Sequence, residues 1–222
     1  ETKPISTYLT ALIAGAYYGV ERILRAPSGD IPAALYCRRS LAEHLDGDRI
    51  WDVTERGFAV FERGFAQPYP FGKYDQVFVP EYNGGAMENV GCVTLRDEYV
   101  FRSRATPASY QVRDDTILHE LSHMWFGDLV TMRWWDDLWL KESFATWAAN
   151  FGLSQIADDP DTAWASFTNG FKTWAYRQDQ LPSTHPIAAD MVDLEAVEQN
   201  FDGITYAKGA SVLRQLVAYV GQ

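Results

Sequence analysis

His119-Glu120-Leu121-Ser122-His123 is the stretch on which the reading of this chain turns. Two histidines four positions apart stand one above the other on the same face of an α-helix, so both imidazoles can reach one cation at about 2.0–2.1 Å. Glu120, about 100° further round the axis, is poorly placed as a third ligand in that plane but can reach a water beside the ion. The helix itself is predicted from its ends. Thr106-Pro107 reads as an N-cap followed by the first helical residue, and the pattern runs to Phe126 and stops at Gly127.

A catalytic zinc takes three protein ligands and keeps one position open, so a third donor is required. Glu142 is the best candidate. A second helix is predicted over residues 136–149, opened by Asp136-Asp137 at the positive end of the dipole, and Leu138, Ala145 and Ala149 put Glu142 on an inward apolar stripe. A carboxylate on such a stripe is costly unless a cation meets it. The alternative is a surface glutamate paired with Lys141. His44 and His185 read as ordinary satisfied buried histidines.

Outward from these helices the texture changes. Before them, residues 7–24 and 33–37 look strand-like around the turn Pro27-Ser28-Gly29-Asp30, and residues 48–66 carry apolar positions at helical spacing despite Gly57 and Gly64. Strands are predicted again at 76–79, 86–95 and 98–101, with Gly84-Gly85 suited either to a sheet edge that another backbone approaches or to a plain turn. After them, helices are predicted at 161–176 and 206–220. The sum is an α+β chain, a small mixed sheet followed by a mainly helical part.

At 222 residues and 47% apolar content the chain can bury a full core. Its net charge of −11 argues against nucleic acid, and it gives an anionic membrane nothing to attract. The longest mostly apolar stretch, residues 8–20, is too short to span a bilayer, and no signal-peptide pattern opens the sequence. Two cysteines without spacing, Cys37 and Cys92, fit a reducing compartment, and a cytoplasmic location is the expectation.

Five separated segments then resemble one family. They are Gly85-Ala86-Met87-Glu88-Asn89; His119-Glu120-Leu121-Ser122-His123-Met124-Trp125-Phe126-Gly127-Asp128; Trp134-Trp135-Asp136-Asp137-Leu138-Trp139-Leu140; Glu142-Ser143-Phe144-Ala145; and Ile204-Thr205-Tyr206-Ala207-Lys208-Gly209-Ala210. Their order, and the eighteen residues between His123 and Glu142, match the zinc aminopeptidase N family, among the gluzincins. The resemblance implies that residues 1–20 are the tail of an N-terminal β-domain and 21–222 most of a thermolysin-like catalytic domain. The rest of that β-domain and a following helical domain would be missing partners.

Carried over by residue, the resemblance implies one Zn2+ on His119, His123 and Glu142, and Glu120 as general base and then proton donor. It implies Tyr206 as the oxyanion's hydrogen-bond donor; read alone, Tyr206 is a helix-start aromatic. The substrates implied are peptides with a free N-terminus. Glu88 is suited to pair with the terminal ammonium, and Gly85, Ala86 and Met87 to receive the peptide as an added strand. Lys141 and Ser143 depart from the common Asn and Gly around the zinc glutamate. Ala149 replaces an acidic residue that could support a ligand histidine, so partners for the imidazoles must come from elsewhere. Two alternatives stay open: a zinc-binding structural fragment that does not turn over, and a thermolysin-type endopeptidase, which Glu88 disfavours.

Overall fold

The computed structural model describes residues 2–221, and the chain divides into two compact units between Leu129 and Val130. The first is built on a mixed five-stranded sheet. Its strands are β1 (Tyr17–Ala26), β2 (Gly29–Arg38), β3 (Tyr74–Val79), β4 (Ala86–Met87) and β5 (Cys92–Arg96), in the order β1-β2-β3-β5-β4. β1 and β2 pair antiparallel from Tyr17↔Arg38 to Ala26↔Gly29, which leaves Pro27-Ser28 as a two-residue turn. β2, β3 and β5 run parallel, and β4 closes the order antiparallel to β5, with Ala86 opposite Leu95.

The parallel step from β2 to β3 needs a crossover, supplied by α1 (Gly47–Phe65). Its apolar face, Ile50, Trp51, Val53, Phe58, Val60 and Phe61, is buried. From the same helix the buried Glu62 accepts from the amide of Ser28 in the hairpin turn at 2.9 Å and from that of Tyr69 at 2.7 Å. The glycine inside this helix has a packing cause. A Cβ on Gly57 would stand 2.5 Å from Leu118 Cδ2 and 2.9 Å from Leu121 Cδ2, so α1 and α2 (Pro107–His123) cross where only hydrogen fits.

Several predicted strands are corrected. Residues 7–9 form a 3₁₀ turn and β1 begins only at Tyr17, where a partner strand becomes available; Leu12, in the preceding stretch, is exposed. The span 86–95 is two strands, parted by a turn in which Asn89 O accepts from Cys92 N at 2.9 Å and Gly91 takes a φ of +63°. Residues 98–101 are not a strand: Glu98 and Tyr99 belong to a 3₁₀ turn, Asp97–Tyr99, that Val100 closes, because β5 is already flanked by β3 and β4.

The second unit is helical. α3 (Leu138–Ile156) outruns its predicted end because Leu153 and Ile156 continue the buried stripe. The Asp136 carboxylate, in the turn before α3, accepts from Met191 N at 2.9 Å, beside a small core of Leu138, Met191 and Val197. The helix expected over 161–176 is α4 (Pro160–Phe167) and α5 (Thr173–Gln178) joined by a π-helical turn, Thr168–Lys172. A short α6 (Leu194–Gln199) was not foreseen, although Asp193 caps it by accepting from Ala196 N at 2.8 Å. The last helix, α7 (Gly209–Val220), grows out of a π-helical turn, Ile204–Lys208. The two histidines outside the His119 and His123 pair, His44 and His185, are half-buried and not fully buried as expected.

Candidate metal centre

In the first unit the paired histidines lie in the last turn of α2, whose apolar residues Ile117, Leu118 and Leu121 are fully buried. Thr106 caps its start, accepting from Ser109 N at 3.1 Å, with Pro107 first in the helix as the sequence predicts. The α-helix ends at His123 and not at Phe126. Beyond it the chain tightens, Trp125 N and Phe126 N both bonding Ser122 O, and turns at Gly127, whose φ of +139° suits glycine alone. Trp125 locks this end: its indole donates to Gln67 O at 3.0 Å and its ring packs edge-on against Phe58, Phe65 and Tyr69.

That turn supplies what the sequence left unassigned. Phe126 O lies 3.0 Å from His123 Nδ1, so this nitrogen carries the proton and donates it, leaving a lone pair on Nε2. His123 Nε2 in turn lies 3.1 Å from His119 Nε2, with the rings nearly perpendicular. Two nitrogen ligands of a tetrahedral zinc are about 3.3 Å apart, which this separation approaches. The residues present therefore fit a divalent ion of that type. The signal for the missed partner was the helix stop itself, Gly127 four residues after the second histidine.

Two carboxylates complete this side. Donor atoms of Glu88, Glu120 and His123 all lie within 4.8 Å of one another, and all three residues are buried, Glu88 to 4% and Glu120 to 5% exposure. Glu88 is presented by the turn after β4, the last strand in the sheet order. Asn89 pins that turn, accepting from Thr94 Oγ1 at 3.0 Å and donating to Leu9 O at 3.2 Å. Nearby, burial pushes the Tyr82 phenol up; a hydrogen bond with Thr94 opposes this, and the charges of Glu120 and Glu88 add to it. Gly85, Ala86 and Met87 form the start of this edge, with Gly85 O accepting from Arg96 N at 3.0 Å. A Cβ on Gly85 would meet only Tyr99 Oη at 3.6 Å, so nothing inside the unit demands glycine there.

One turn before His119, Asp115 is buried, and desolvation first and the charge of Asp114 second push its carboxyl up to about 7. Asp114 itself is held by Arg49 at 2.7 Å. Because the folded state keeps the Asp115 proton where the unfolded chain releases it, near 3.8, the folded form binds more protons across that window and stability falls as pH rises through it. Asp115→Asn removes this cost. The asparagine amide brings its own burial penalty, so the expected net gain is about 1–2 kcal/mol at pH 8, with no gain at pH 4. Thermal melts at the two pH values check it; equal effects at both would refute the assignment.

In the second unit Glu142 lies on α3, 2% exposed, with Leu138, Ala145 and Ala149 buried around it as the stripe predicted. It is not a surface glutamate, yet it does meet Lys141, whose ammonium is buried 3.3 Å from its carboxylate. The next residue, Ser143, donates to Thr205 O, which docks the π-helical turn bearing Tyr206 on α3. A Cβ on Gly209 would fall 1.9 Å from Ser143 Oγ, which explains the glycine of Lys208-Gly209-Ala210. The Tyr206 ring is half-buried and neighbours Trp174 and Phe201.

A mixed sheet with a helix presenting paired histidines beside buried carboxylates is the frame of a metallopeptidase domain. The sequence matches the Peptidase family M1 domain over residues 50–222, and the chain belongs to that family. It is 61% identical to the aminopeptidase N of Streptomyces lividans over all of this chain and 26% of the relative. A probable aminopeptidase 2 of Sulfurisphaera tokodaii is 37% identical, and a leucyl aminopeptidase of Saccharolobus solfataricus 35%, again along the whole chain and 28% of each relative. The chain thus spans about a quarter of the length of these relatives.

Proposed function

We propose that this chain carries the centre of a zinc aminopeptidase, which hydrolyses the first peptide bond of substrates with a free N-terminus. The observation that carries the reading is the convergence of the two imidazole Nε2 atoms at 3.1 Å, one tautomer fixed by Phe126 O, beside the buried carboxylates of Glu120 and Glu88. Similarity to proteins named aminopeptidases supports it, and the family is zinc-dependent in general. His119, His123 and Glu142 are the proposed ligands. Glu142 enters through the likeness of Glu142-Ser143-Phe144-Ala145 to the family pattern, and its burial beside Lys141 sets it apart from a surface glutamate.

Zinc, when bound, supplies Lewis acidity: it polarises the scissile carbonyl and eases ionisation of the attacking water, whose pKa falls towards ~7. Glu120 takes that water's proton and passes it to the leaving nitrogen. Tyr206 donates its phenol hydrogen to the developing oxyanion, a role that phenylalanine lacks. Glu88 pairs with the substrate ammonium, and the free edge of β4 receives the peptide backbone as an added strand. Free thiols at Cys37 and Cys92 favour a reducing, cytoplasmic setting. Among the described residues no helix is long and apolar enough to cross a membrane.

The test compares aminoacyl fluorogenic amides, their N-acetylated forms and a blocked internal peptide, with and without chelator. Chelator-sensitive release from free-amine substrates alone is expected. Zinc bound without turnover would favour a structural fragment, and cutting of the blocked peptide an endopeptidase. Glu88→Ala should raise KM for free-amine substrates by ~10-fold or more, as loss of a charge-assisted contact requires. Equal effects on acetylated substrates would remove Glu88 from ammonium recognition.

A further inference from the structure

Asp202 is a buried carboxylate in the second unit on which the start of the last helical segment is organised. The first amides of a helical segment lack partners within it and must find them elsewhere. Here they find them at one place. Ile204 N and Thr205 N donate to Asp202 Oδ1 at 2.9 and 3.0 Å, Tyr206 N donates to the Asp202 carbonyl at 2.9 Å, and Gly203 N donates to Gln178 Oε1 at 2.7 Å. Gln178 closes the loop by donating its amide to Asp202 Oδ2. The turn so held is π-helical, a geometry that persists only where its surroundings sustain it.

The same Oδ2 meets His185 Nε2 at 2.6 Å, while His185 Nδ1 lies 2.7 Å from Pro186 O. A carboxylate oxygen only accepts, so the contact with Asp202 is an N–H of the ring donated to a buried carboxylate, a charge-assisted bond that offsets the cost of its desolvation. The other charged groups nearby are committed to each other. Lys208 donates to Asp179 at 2.8 Å, and this bond first, with Thr184 second and His185 among the lesser causes, holds the Asp179 carboxyl below its ordinary range.

We propose that His185 is a positioning residue for the reaction: through Asp202 it holds the π-helical turn that carries Tyr206. The proposal rests on the role given to Tyr206 above, and the chain of contacts is continuous from one to the other. His185 orients Asp202, and Asp202 accepts the amides of residues 204–206, so a change at His185 reaches the phenol by way of the backbone that carries it. His185 itself is not required to touch substrate.

The test uses the zinc-loaded protein with His185→Phe, which keeps a ring and removes its hydrogen bonds, and His185→Gln, which keeps an N–H donor. Amide hydrogen exchange of residues 204–206 should quicken by ~10-fold or more in His185→Phe and by less in His185→Gln. With it, kcat should fall by ~10-fold while KM stays within ~2-fold. In a Tyr206→Phe background, adding His185→Phe should change kcat by less than ~2-fold, since both act through one group. Unchanged exchange at 204–206, or rate losses that simply multiply in the double variant, overturns the proposal. A Tyr206→Phe protein with intact kcat would instead refute the oxyanion role, and with it the claim that His185 serves catalysis; exchange then still reports whether His185 holds the turn.

Discussion

Glu120→Gln is expected to lower kcat by ~10²–10⁴-fold, the span that a positioned general base contributes, while zinc remains bound in stoichiometric amount. The substitution keeps the shape and the hydrogen-bonding reach of the side chain and removes its basicity. Glu120 is buried beside Glu88 and His123, and its neighbours Leu118 and Leu121 pack against α1 at Gly57, so the exchange has little room to act by moving the helix. KM should change little, because proton transfer is used only in the transition state. The measurement is steady-state hydrolysis of an aminoacyl amide beside a metal assay, in protein that turns the substrate over before substitution. Full activity in Glu120→Gln would mean another group takes the proton.

Gly209→Ala is expected to destabilise the protein by about 3 kcal/mol, in the upper part of what overpacking costs. The new methyl would stand 1.9 Å from Ser143 Oγ and 2.8 Å from its Cβ, and Ser143 cannot swing aside without giving up its bond to Thr205 O. For a chain of this size the loss corresponds to a fall in Tm of roughly 6–12 °C. Ser143→Gly in the same protein should recover most of it, because it removes the atoms in conflict. A melt of the metal-free double variant no higher than that of Gly209→Ala alone would show that the clash is not the cause.

The two positions also show how much was legible beforehand. The departure of Ser143 from the common glycine was visible in the sequence, but its consequence was not. It takes the folded chain to show that Ser143 sits under Gly209 and holds the turn of Tyr206. In the same way Gly57 counted against the first helix on propensity, and only the crossing with Leu118 and Leu121 explains its presence.

Read alone, the sequence determined the paired histidines and the acid between them, the helices that carry them, the inward face of Glu142 and the mixed α+β character. The helix-borne features follow from spacings along the chain that a helix converts directly into position, and the α+β character from the change between strand-like and helical texture. Tertiary structure decided the strand limits around Tyr17, Glu88 and Asp97, the Phe126 carbonyl behind His123, the Glu62 clamp on the hairpin, and the cluster of His185, Gln178 and Asp202. Each of these depends on a partner that local periodicity cannot supply: a neighbouring strand, or a backbone oxygen or amide freed where an element ends or turns. Such partners come into reach only when the chain has closed on itself.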